Sequence, residues 1–242
     1  MKKTFLTLTA IFIAFTMISC SSDSKKIKRL QKLEEGVSNP NTVEELEDAI
    51  SKYGQRAEDL VLTDGQLGIW YKILGTRYVD KEMYGKALPC FQQAIGYYPD
   101  NANLFYYVGV CASHMANASL DFNASSNLSE KKRYYSLAES SFLRCLELDS
   151  KQYRAMYSLG VLYVFNLNES EKAIPYMEKY VSVQKKDSDG LFVLAAAYYV
   201  TGQFDKAIEL YDRIISLNPN AQKTAQAKEN RSAALSASGR DQ

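Results

Sequence analysis

The sequence predicts an all-α protein built as a stack of helical hairpins. Three observations point there: one frame of small and aromatic residues returns four times between residues 68 and 221, the apolar residues within each return keep helical spacing, and prolines recur in the same register of different returns.

The frame is clearest in residues 68–101, where Leu74, Gly75 and Tyr78 precede Ala87, Phe91, Ala94 and Pro99. It returns in 188–221 as Leu194, Ala195, Tyr198, Ala207, Tyr211, Ile214 and Pro219. Residues 153–187 repeat it as Leu159, Gly160, Tyr163, Ala173, Met177 and Tyr180, with one residue inserted. Residues 102–152 repeat it as Val108, Gly109, Ala112, Ala138, Phe142 and Cys145, with a long insertion.

Physics accounts for each position. Leu74, Gly75 and Tyr78 share one face of a helix. Gly75 and Ala87 are small because antiparallel helices approach closely only where side chains are short, and Phe91 and Ala94 fill the seam. Pro99 stops the second helix. Pro89 and Pro175 both follow the frame's alanine by two residues, near the start of the second helix. A lone hairpin leaves an apolar face open, so neighbours must stack on it.

This cadence resembles the tetratricopeptide repeat (TPR), a helix–turn–helix unit of about 34 residues. The resemblance covers about two thirds of the chain. It implies a right-handed α-solenoid of four repeats over 67–221: 68–101, 102–152 with its insertion, 153–187 and 188–221. Ser150 and Lys185 stand where proline is usual.

The ends differ in kind. Residues 41–66 predict an N-terminal helix, opened by Asn41-Thr42 and the acidic Glu44, Glu45 and Glu47, loosely broken at Gly54 and ended at Asp64-Gly65. It is expected to cover the open face of the first repeat. Residues 222–242 are Ala-rich, carry Lys223, Lys228, Glu229 and Arg231 outward, and predict a capping helix with a short tail. Within the second repeat, Ala116–Lys132 is an Asn- and Ser-rich insertion, either a functional loop or else a tolerated surface insertion or an extension of the two helices.

The N-terminus carries an address. Lys2 and Lys3 precede a largely apolar stretch of 14 residues from Phe5 to Ile18, too short to cross a hydrocarbon core that needs roughly 20. Residues 1–19 therefore predict a signal peptide. Met17-Ile18-Ser19-Cys20 resembles a lipobox, with Met17 where Leu is usual. The resemblance implies lipidation of Cys20, a tether over 20–40, and a bacterial envelope location, mostly on the periplasmic side of the outer membrane. Ser21 is not the Asp that retains some lipoproteins in the inner membrane.

Composition excludes several classes. The formal net charge is +1, and removing Lys2 and Lys3 leaves 1 − 2 = −1, with no basic surface for nucleic acid. The chain holds a single His, His114, and lacks phosphate-binding loops, nucleophile elbows and zinc-protease motifs, so no enzyme, metal site or cofactor is predicted. Cys90, Cys111 and Cys145 fall in helical patterns and read as small buried hydrophobes, a Cys90–Cys111 bridge being the alternative. The 18 Tyr suit both core and binding surface.

The TPR resemblance also implies a concave groove lined by the first helix of each repeat. Those positions collect Lys72 and Thr76, then Tyr106, Val110 and His114, then Arg154, Tyr157, Val161 and Phe165, then Phe192 and Tyr199. Thr76 stands where a carboxylate-gripping Asn would be, so the expected occupant is apolar or helical rather than an acidic tail. The resulting expectation is a membrane-anchored scaffold for a protein or peptide partner. Known TPR lipoproteins serve outer-membrane assembly, pilus secretin assembly and TRAP-type transport, and the Tyr-rich blocks lean toward the last. A carrier of a small hydrophobic ligand is the alternative from another class, and an enzyme with an unrecognised carboxylate site is a third.

Overall fold

The computed structural model describes residues 43–119 and 127–239. The predicted signal peptide, Cys20 and the tether lie outside the described residues, as do 120–126 of the insertion. The chain divides into two compact units, Met1–Val61 and Leu62–Gln242. In the first, the described residues are the N-terminal part of helix α1; the second holds every other element.

The described residues contain only helices: α1 (Val43–Asp80), α2 (Tyr84–Tyr97), α3 (Ala102–Ala118), α4 (Asn127–Leu148), α5 (Tyr153–Val161), α6 (Ser170–Val183), α7 (Ser188–Val200), α8 (Phe204–Leu217) and α9 (Ala221–Ala237). A π-helical turn, Leu162–Asn166, prolongs α5. From α3 onward each helix packs on the next, and the first helices α3, α5 and α7 also touch in sequence, as an α-solenoid requires.

The recurring glycine explains the pairing. Gly75 on α1 faces the Phe91 ring on α2, Gly109 on α3 faces Phe142 on α4, and Gly160 on α5 faces Met177 on α6. Phe91, Phe142 and Met177 are essentially without solvent exposure, each burial favouring the fold by about 1.5–3 kcal/mol. In the last repeat Ala195 and Tyr211 occupy the equivalent places, both buried.

The inter-helix turns follow one design. Glu82 (φ 56°), Asn168 (φ 55°) and Gly202 (φ 74°) adopt left-handed conformations, each five residues before Ala87, Ala173 or Ala207. Gly160 is one residue farther from its turn than Gly75 or Ala195 is from theirs. The π turn absorbs this extra residue: the Leu167 N–H donates to the Leu162 carbonyl at 3.0 Å. The inserted residue of the third repeat thus widens one helix and leaves the turn intact.

Three expectations need correction. The predicted helix 41–66 and the first helix of the first repeat are one continuous helix, so the boundary at 66/67 falls inside α1. A glycine within a helix costs only about 1 kcal/mol, and Gly65 marks close packing instead of a helix end. The Tyr98 hydroxyl donates to its carbonyl at 2.7 Å, and Gly68 has no room for a Cβ against Tyr97. Secondly, Leu74 does not share the burial of Gly75; it is 44% exposed. Thirdly, Pro89 and Pro175 are the sixth residues of α2 and α6, beyond the first turn. Each removes a bond to the exposed Gly85 or Glu171.

Within the insertion, residues 116–118 and 127–132 are helix. α3 continues to Ala118, with Ala116 fully buried, and α4 begins at Asn127. At the C-terminus α9 ends at Ala237; Ala227 and Ala234 are its buried residues. Asn220 caps it by accepting from the Lys223 N–H at 2.8 Å. Arg231 pairs with Asp212 of α8 at 2.6 Å, and Lys223 with Asp189 of α7 at 2.7 Å. Its exposed residues include Gln222, Lys228, Glu229, Ser232 and Ser236. Cys90, Cys111 and Cys145 are buried and free, so the Cys90–Cys111 bridge is not formed.

Candidate functional site

A cleft of about 310 Å³ runs between α3 and α5. Tyr106, Val110, Ser113, His114 and Asn117 line one wall at spacings of three or four residues, the period that puts side chains on one helix face. Tyr157, Ser158, Val161, Leu162 and Asn166 form the other, and Phe142 of α4 closes the floor.

The two ends are polar and the middle is apolar. At one end the Arg154 guanidinium lies over the Tyr106 ring, 4.6 Å from its centroid, and donates to Asn103 Oδ1 at 3.3 Å. At the other end Asn117 Oδ1 accepts from Asn166 Nδ2 at 3.2 Å and from the Tyr135 hydroxyl at 2.8 Å. Asn166 Nδ2 also donates to the Tyr135 hydroxyl oxygen at 3.1 Å. Burial pushes the Tyr106 phenol above its ordinary pKa despite the opposing Arg154 charge. The Tyr157 phenol is raised by burial, then by Asp189 and Asp187. Both hydroxyls stay protonated at neutral pH and remain available as donors.

His114 stands at the edge of this cleft, its ring stacked on Tyr84 with centroids 3.9 Å apart. Beyond it lies a second hollow of about 340 Å³, bounded by Glu82, Met83, Lys86 and Met115 among others. Among the described residues no group of three or more His, Cys, Asp or Glu side chains is placed to hold a metal ion. No described helix is long and apolar enough to cross a membrane.

Of the eleven positions the sequence assigns to the groove, Tyr106, Val110, His114, Tyr157 and Val161 meet in the cleft, and Arg154 stands at its end. Lys72 and Thr76 lie on α1, where the Thr76 hydroxyl donates to the Lys72 carbonyl of its own helix. Phe192 packs half-buried beside Tyr211, and Tyr199 sets an edge against Phe204. Phe165 is 58% exposed and outside the lining. The π turn explains that last case: counting at α-helical spacing selects Phe165, and the extra residue brings Asn166 to the cleft instead. Asn117 was legible only as part of the insertion, because nothing local signals that α3 continues past it.

Residues 153–187 and 188–221 each match a tetratricopeptide repeat model. Residues 153–221 are thus similar to tetratricopeptide repeats. These repeats supply α5, the π turn and one wall of the cleft. A "TPR repeat-containing protein" of Borreliella burgdorferi is 24% identical over 214 residues, spanning 85% of this chain and 89% of its own. Among solved structures, YrrB, described as a TPR protein with an unusual peptide-binding site, superposes with a TM-score of 0.58 at 17% identity. The match covers 71% of this chain and 78% of YrrB. A MamA structure matches with a TM-score of 0.55 at 21% identity, covering 73% and 90% of the two chains. At these identities the structural likeness establishes the fold alone.

Proposed function

We propose that this chain is a lipid-anchored scaffold of a bacterial envelope that holds an apolar segment of a partner protein in the cleft between α3 and α5. One observation carries the reading. Tyr106, Val110, Tyr157 and Val161 converge on an apolar strip, while Arg154 at one end and the Asn117–Asn166 pair at the other supply directional polar contacts. That combination fits a peptide or amphipathic helix, whose side chains seat on the strip and whose polar edge meets the ends. The cleft lies open, which favours a protein segment over a sheltered small molecule. YrrB's peptide-binding site lends support from a protein of the same fold. The anchor is read from Met17-Ile18-Ser19-Cys20, with the periplasmic face of the outer membrane as location and a transport or outer-membrane assembly complex as setting.

The groove is tested by partner capture from an envelope extract of the native host, with the full chain, Tyr157→Ala and Val161→Ala compared. Loss of at least about tenfold in capture by Tyr157→Ala, with helical content unchanged, supports the groove. Undiminished capture by both variants removes it. A small molecule released from the natively purified chain in native mass spectrometry would favour the carrier instead. Fatty-acid labelling that Cys20→Ala abolishes tests the anchor.

A further inference from the structure

Residues 62–80 of α1 bear a second apolar surface. Leu62, Ile69, Trp70, Ile73 and Leu74 are 70%, 40%, 59%, 48% and 44% exposed, and their spacing places them along one side of the helix. Another side of the same helix is packed: Gly68 lies against Tyr97, Gly75 against Phe91. At their exposures the five side chains present on the order of 500 Å², a size that marks an interaction site on a soluble protein. α1 opens the first hairpin of its unit, so this is the side that a preceding hairpin covers within a solenoid.

We propose that this stripe pairs with the same stripe of a second copy, the two α1 helices antiparallel about a two-fold axis. The unlike ends of the unit choose this arrangement. Head-to-tail stacking sets the stripe on the outer residues of α9, including Lys228, Glu229, Ser232 and Ser236, and strips water from charged groups without partnering them. Head-to-head pairing buries apolar surface on apolar surface and closes after two copies, with no open-ended assembly.

Register and area agree with the pairing. An axis between Ile69 and Trp70 seats each of these two residues against the other on the second copy, sets Gln66 across from Ile73, and sets Leu62 across from Arg77. Arg77 is solvent-facing and only loosely paired with Asp80 at 3.7 Å, so its methylene stem can cover Leu62 while its guanidinium stays in water. A stable interface needs about 800 Å² per partner, which the stripe and its polar rim approach at helix separations of about 8–10 Å.

Trp70 is the single tryptophan of the chain, so its emission reports this stripe alone. The full chain and Ile73→Glu are compared in detergent by sedimentation and Trp70 emission between about 1 and 100 μM, a range suited to an interface of this size. The expected result is a two-copy mass with blue-shifting emission as concentration rises. Ile73→Glu is expected to weaken pairing on the order of a hundredfold with helical content unchanged. Association through lipid alone would survive the substitution and overturns the proposal. A one-copy mass throughout also overturns it, whether emission stays red (the stripe serves another partner) or blue at every dilution (the chain covers it itself).

Discussion

Gly109 and Phe142 are complementary in the strict steric sense: a Cβ on Gly109 would lie 2.5 Å from Cε1 and 2.6 Å from Cδ1 of the ring. Phe142 is 1% exposed and has nowhere to retreat. The contact joins α3 to α4 across a 33-residue separation, so it holds the second hairpin together despite the insertion.

Gly109→Ala should therefore destabilise the fold by about 1–3 kcal/mol, overpacking outweighing the better helix propensity of alanine. Gly96→Ala is the control, because no atom lies within 4 Å of a Cβ built there. It should stabilise by up to about 1 kcal/mol. Urea unfolding followed by circular dichroism measures both, and equal effects would contradict the steric account.

Gly160→Ala should cost less than Gly109→Ala. Its Cβ would meet Met177 Sδ and Cγ, and a thioether side chain with several rotatable bonds repacks where a phenyl ring cannot. The same unfolding measurement ranks the two.

Asn166→Ala removes two hydrogen bonds, to Asn117 and to Tyr135, and should lower stability by about 1 kcal/mol. Asn117→Ala in the same background should add less than it does alone, because the two amides share one network. Additive losses in the double-mutant cycle would mean the network is not coupled.

Stability should fall in alkali. Burial pushes the Cys111 thiol from 9.0 up to about 12, and burial followed by the Asp149 charge pushes Cys145 up to about 11. Folded values above unfolded ones mean that this stabilisation is complete below pH 9 and is lost as pH climbs from there through about 11 and 12. Tyr163, Tyr180 and Tyr198 act in the same sense above pH 10, raised first by burial and then by hydrogen bonds to Glu139, Asp187 and Glu178. Thermal midpoints across pH 8–11 should decline, with a shallower decline above pH 10 in Tyr163→Phe/Tyr198→Phe.

The same burial makes Cys111 and Cys145 slow to react at neutral pH. A thiol reagent should modify them at the rate of unfolding, in proportion to urea. Rapid labelling of folded protein would place them at the surface.

Much of the fold was legible because its determinants are local and repeated. Gly75, Gly109 and Gly160, the aromatic or Met positions that face them, and the helix-ending Pro99 and Pro219 carry their meaning in residue size and spacing alone. The single inserted residue of the third repeat was also visible as a count. What spacing could not say was where that residue would go, since a longer turn and a wider helix satisfy the same count; the packed neighbours of Tyr163 and the fixed turn at Asn168 selected the π turn. That choice moved the cleft position from Phe165 to Asn166. Nor could a local reading distinguish a glycine that ends a helix from one that admits a partner: Gly65 continues α1 because Tyr98, 33 residues away, closes on its carbonyl. The sequence by itself determined the hairpins and their pairing, because those depend on side-chain volume within each repeat. Only the tertiary structure decided which apolar residues remain outside, the cleft strip and the α1 stripe, because exposure depends on whether a neighbouring helix is there to cover them.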